Sequence, residues 1–184
     1  MDPGGRPGSH ERKAVTAAEN RWFEAGVLGI VAYDASKAVL SLADPSPYNP
    51  FEAIRVFGVL LVGDHAPPIQ TWASGAAFHL LNGVMFAIAY AQFLGAFAAR
   101  SVRLAVVTGM AWGLFLETFQ LVLFPGWLSI TFVAEFATIS MAAHLVYGAT
   151  VGTVVRRRLL RFAAGRDATG TTTSAWQRDP GGTA

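Results

Sequence analysis

Ionisable side chains recur inside the apolar stretches of this chain: Asp34, Lys37, His79, Glu117, Glu135 and His144, accompanied by the amides Asn82 and Gln120. Carboxylate and imidazole groups in such surroundings support a short list of chemistries. Oxygen and imidazole donors suit Zn²⁺ or Fe²⁺, and Asp34, His79 and Glu117 are the set that would supply them. Two histidines, His79 and His144, are the pair that would ligate a haem from both faces. A carboxylate held away from water beside an imidazole runs acid–base transfer, as in an isomerisation or cyclisation of a lipid-soluble substrate. No HExxH or ExxH spacing joins these residues, so any shared site has to be assembled from separate elements. The chain has no Cys, which removes disulfides, thiolate nucleophiles and Cys-bound metals. The plainest alternative is that the polar groups only bind the helices to one another, as in a non-catalytic accessory subunit. No motif fixes a reaction, so the residues leave open whether the chain is an enzyme and name no cofactor.

The elements that must position these groups follow from hydropathy. Four stretches, Trp22–Leu42, Trp72–Ala98, Leu104–Phe124 and Thr131–Val155, are apolar over about the 20 residues that a helix needs to cross a bilayer core. The chain is 53% hydrophobic and only 14% charged, where soluble domains carry about 25% charged residues. The expected fold is therefore all-α: an integral membrane four-helix bundle. Pro45, Pro47 and Pro50 break helix on one side of Phe51–Gly63 and Pro67–Pro68 on the other. The enclosed apolar segment is too short to span, and reads as an interfacial or re-entrant helix between spans one and two that shields the bundle. Three regions result: a disordered tail at 1–20, a four-span domain at 21–160 and a second disordered tail at 161–184.

Basic residues orient the bundle. Of 14 Lys and Arg, 12 lie in the N-terminal tail, in the Arg100–Arg103 loop or in the tail after span four. Four spans place these three segments on one side, and the positive-inside rule makes that side cytoplasmic. The expected location is the plasma (inner) membrane, multi-pass, with both termini in the cytoplasm. The first apolar segment reads as an uncleaved signal anchor, with no lipidation motif. The Arg156–Arg158 run is a basic flank that stops transfer; the other uses of such a run are headgroup or nucleic-acid binding. The expected partner is the lipid bilayer, with no nucleic acid. Gly109/Gly113 and Gly148/Gly152 form two GxxxG pairs that let helix backbones approach closely. Their expected use is packing within the chain; a homo-oligomer or a larger membrane complex is the other use.

Depth and face bring the polar residues together. At about 1.5 Å per residue from the outer ends, Lys37, Asp34, His79, Glu117 and Glu135 fall in the outer half of the core, Asn82 lies near its middle, and His144 lies deepest, at about 20 Å. On span three, Gly109, Gly113, Glu117 and Gln120 share a stripe; on span two, Gly75, His79, Asn82, Gly83, Phe86 and Tyr90 do; on span one, Asp34, Lys37 and Ser41 do. Small and charged residues thus share faces, which directs the charges into the bundle. The inferred pocket opens outward and is lined by Asp34, Lys37, His79 and Glu117, with Asn82 and Gln120 beside them. Locally, Asp34 and Lys37 can neutralise each other at i, i+3, and His79 can donate to Asn82 or a backbone carbonyl. Glu117 is either protonated or paired with His79 or Lys37. An acid–base enzyme would use Glu117 and His79 as its catalytic pair. It would also need a cavity lined by Phe78, Phe86, Tyr90, Phe115 and Phe119.

Three segments, FHLLNGVMFAIAYA (78–91), GMAWG (109–113) and AEF…AAHLVYGATVG followed by RRRL, resemble the YagU-like small inner-membrane proteins of bacteria. The resemblance covers about residues 70–160 and implies a four-span bacterial inner-membrane protein without an established activity. In that family the acidic residue and the His of the last span lie closer together than Glu135 and His144 do. The residues themselves favour binding or passage of a proton or small polar ligand at an outward-facing intramembrane cluster. The alternatives are a membrane-embedded acid–base enzyme and an accessory subunit.

Overall fold

The computed structural model describes the backbone of residues 9–43, 49–123 and 130–170, and side chains at 22–43, 49–121 and 138–165. Five helices fill these segments: α1 (Ser9–Ala43), α2 (Glu52–Val62), α3 (Pro68–Arg100), α4 (Val102–Leu123) and α5 (Ile130–Gly170). All but α2 are long and apolar enough to cross a membrane, over Trp22–Ala43, Pro68–Arg100, Val102–Leu121 and Thr138–Gly165. The chain is an all-helical, multi-pass membrane protein. Its outer surface agrees: Leu81, Met85, Phe93 and Val107 are each more than half exposed, an apolar rim that lipid covers and water would penalise. Helices α1 and α5 both outlast their spans at the tail ends. The FPGW bend (124–127), the side chain of Glu135 and the Pro45–Pro47 segment lie outside the described residues.

Local chemistry sets the helix limits. Pro68 opens α3, where its missing N–H would have had no intrahelical partner. Ser101 alone joins α3 to α4; its extended backbone turns the chain, and its Oγ accepts from the Leu104 amide at 3.1 Å, capping α4. Gly63 ends α2 with φ 87°, a left-handed value suited to glycine.

Helices α4 and α5 form the tightest seam. Ala105, Gly109 and Gly113 lie opposite Gly152, Gly148 and His144, so closely that a Cβ on Gly109 or Gly113 would run into the carbonyl of Gly148 or His144. The two GxxxG pairs therefore serve packing within this chain. Helix α1 packs antiparallel to α5, and an ion pair between Glu24 and Arg158 fastens the arginine-bearing end. Tyr90, fully buried, ties α3 to α4 through Thr108 Oγ1 at 2.8 Å. Helix α2 differs from the rest: among the described residues its backbone contacts α3 alone. There Gly58 meets the carbonyl of Thr71 and Gly75 the carbonyl of Ile54.

Candidate functional site

Continuing the α4–α5 register one turn beyond Gly113 and His144 brings Glu117 opposite Ser140. The Ser140 hydroxyl donates to Glu117 Oε2 at 2.8 Å, and His144 Nδ1 lies 2.8 Å from the same oxygen. Nδ1 is also 2.9 Å from the carbonyl oxygen of Ser140. Both neighbours accept, so Nδ1 carries the proton and Nε2 is left as the neutral ring's acceptor. Since the serine hydroxyl donates to Glu117, it accepts from the Tyr33 hydroxyl at 3.2 Å. Glu117 is 2% exposed, and its Oε1 is enclosed with no hydrogen-bond partner among the described residues.

A second carboxylate–imidazole pair lies across the bundle: His79 Nε2 on α3 is 3.2 Å from Asp34 Oδ1 on α1. The Tyr33 ring stands between the two imidazoles, with centroids 5.7 Å from His79 and 4.8 Å from His144. Lys37, 2% exposed, places Nζ 5.2 Å from the centre of that ring and within Coulomb range of both Asp34 and Glu117.

These groups border one cavity of about 240 Å³. Asp34, Lys37, His79, Asn82, Gln120 and His144 supply its polar wall; Phe57, Phe78, Phe86 and Phe119 supply much of its apolar wall. Five of the residues expected at the pocket thus meet there. The sixth, Glu117, is one layer behind, reaching the cavity through His144.

Several expectations change. Lys37 lies within Coulomb range of Glu117, and Glu117 meets His144, which counting depth along the axis sets about 10 Å farther in. The reason is side-chain direction. Every Cα–Cβ bond tilts toward its own helix N-terminus, and α4 and α5 are antiparallel, so Glu117 leans inward and His144 outward until they meet. His79 bonds to Asp34 rather than to Asn82 or a carbonyl. Asp34 and His79 adjoin each other, but Glu117 does not join them, and no three His, Asp or Glu side chains among the described residues are grouped to hold a metal ion. His79 and His144 do face one cavity, contrary to the depth estimate. That cavity is below the roughly 300–1,000 Å³ of drug-sized ligand sites, and a haem does not fit between them. Among the aromatics, Tyr90 and Phe115 do not line it, whereas Tyr33, Phe57 and Tyr147 do. Helix α2 does more than shield the bundle: Ala53, Ile54 and Phe57 form one wall of the cavity.

Sequence reasoning missed Ser140 and Tyr33 as parts of the network. The signal for Ser140 was present, because Ser140, His144, Gly148 and Gly152 repeat every four residues and mirror Ala105, Gly109, Gly113 and Glu117 on α4.

Chemically, each imidazole has a carboxylate on one nitrogen, and the other nitrogen, Nδ1 of His79 and Nε2 of His144, has no hydrogen-bond partner among the described residues. A carboxylate in that position fixes the tautomer and stabilises the imidazolium when the far nitrogen takes a proton.

No protein-family model, curated protein or solved structure matches this chain.

Proposed function

We propose that the chain is a plasma-membrane protein with both termini in the cytoplasm, and that it binds a small, partly apolar molecule in the α1–α5 cavity and exchanges a proton with it. One observation carries the reading: two carboxylate-backed imidazoles and a buried lysine border a cavity whose remaining wall is aromatic. An aromatic wall suits the body of a ligand drawn from the bilayer, and the polar wall suits one oxygen- or nitrogen-bearing end. Purification in mild detergent followed by solvent extraction and mass spectrometry tests it. A small molecule should accompany the wild-type protein and be depleted about tenfold or more in His144→Gln and His79→Gln, from loss of a charge-assisted bond of about 1.5–3 kcal/mol. Equal recovery from all three proteins refutes the reading.

A second reading, an acid–base enzyme of the isomerase type, is favoured by two carboxylate-backed imidazoles, His79 and His144, on the wall of one cavity. One imidazole would take a proton while the other gives one back. Its signature is incorporation of deuterium from D₂O into the co-purified molecule, abolished by His144→Gln. Binding without exchange rejects catalysis and leaves binding intact.

A further inference from the structure

A groove runs down the opposite side of the α1–α5 contact, facing away from the cavity. Its walls are Leu28 and Val31 on α1 and Val146, Thr150, Thr153 and Val154 on α5, and it ends at Arg157. Three features point to one occupant. The first is length. From Val146 to Arg157 the groove covers about 16 Å of helix, close to half of a hydrocarbon core of about 30 Å. It is as long as the acyl chain of one leaflet. The second is relief: small side chains at Ala32, Ala35 and Ala149 keep the floor low between the larger Leu28, Val31 and Val154. The third is charge. Of the three consecutive arginines, Arg158 is engaged by Glu24 and Arg156 is half-buried with its Nε enclosed. Arg157 is exposed and, among the described residues, has no ion pair. It stands where the groove ends, on the arginine-rich side of the bundle.

We propose that this groove binds one phospholipid with an anionic headgroup, its acyl chain on the Ala32–Ala149 floor and its phosphate on the Arg157 guanidinium. Arginine's planar fork matches a phosphate with two parallel hydrogen bonds. The basic side of a helix pair is where such headgroups are held.

The test is native mass spectrometry of the full chain released from mixed phosphatidylglycerol and phosphatidylcholine membranes. Wild type should retain phosphatidylglycerol over phosphatidylcholine, and Arg157→Gln should reduce that preference about fivefold, the equivalent of about 1 kcal/mol for one basic residue at the surface. Arg157→Lys should keep part of the preference. Arg161→Gln, an exposed charge that does not line the groove, should leave it unchanged. Ala149→Phe should lower retention of both lipids by filling the floor, with its fold checked by circular dichroism. Equal losses in Arg157→Gln and Arg161→Gln would show a diffuse field and overturn the site. So would a wild-type chain without headgroup preference, or crosslinking of Ala149→Cys to itself across two copies, which would put a second chain in the groove.

Discussion

Substituting Gly113 by alanine tests whether the α4–α5 seam sets the geometry of the site. A Cβ there meets the carbonyl of His144, a backbone group that cannot rotate away. Carbon and oxygen rest at about 3.3–3.6 Å, so α4 and α5 have to part locally by about 1 Å. A gap of that size forfeits a quarter to a half of the dispersion between facing atoms. It also stretches the 2.8 Å contact between Glu117 and His144 past hydrogen-bond length, at about 1.5–3 kcal/mol for a charged bond. Overpacking of this kind costs about 1–3 kcal/mol, and the lost bond brings the total to about 2.5–6 kcal/mol. Gly95→Ala is the matched comparison, because its Cβ would meet Leu159 at an ordinary 3.5 Å. Removing a helical glycine there should be neutral or stabilising by up to about 1 kcal/mol. Reversible unfolding in mixed micelles measures both, and co-purification of the bound molecule reads the site. Equal stability of the two variants would refute the inference that backbone contact holds the Glu117–His144 pair in register.

Gly58→Ala should push α2 off the carbonyl of Thr71; we expect ligand retention to fall severalfold while the unfolding midpoint of the four spans moves little. Tyr147→Phe removes a 2.6 Å hydrogen bond to the carbonyl of Gly83 and should cost about 1 kcal/mol in the same unfolding assay. Tyr33→Phe keeps the ring between the two imidazoles and deletes the bond to Ser140; stability should drop by about 0.5–1.5 kcal/mol, with the bound molecule retained. Arg55→Gln breaks an exposed pair with Glu52, and the midpoint should hold, because exposed pairs contribute about 0–1 kcal/mol.

Much of the architecture can be read from residue order. Helix length and apolarity identify four spans, and spacing of three and four places Asp34 with Lys37 and His79 with Asn82 on inward faces. The Gly109/Gly113 and Gly148/Gly152 pairs mark the seam that they form. What stays hidden depends on direction and distance. Depth counted along an axis ignores the tilt of side chains toward each helix's own N-terminus, so Glu117 and His144 look far apart when they touch. An i, i+3 spacing brings Asp34 and Lys37 within Coulomb range of each other, but it does not show that His79 also reaches Asp34 from another helix. Phe115 shares a helix with Phe119, yet only Phe119 turns to the cavity. Nothing in the composition of Phe51–Gly63 says which helix it lies on, and so its place in the cavity wall appears only in three dimensions.

That wall is attached along one edge. Helix α2 rests on α3 by the Gly58 and Gly75 contacts, and Gly63 gives its far end a backbone state that other residues rarely take. A panel hinged in this way can swing aside while α1, α3, α4 and α5 keep the two carboxylate–imidazole pairs at fixed spacing. For the ligand proposed above, entry past α2 would open one edge, sideways into the bilayer, and leave the Asp34–His79 and Glu117–His144 pairs undisturbed.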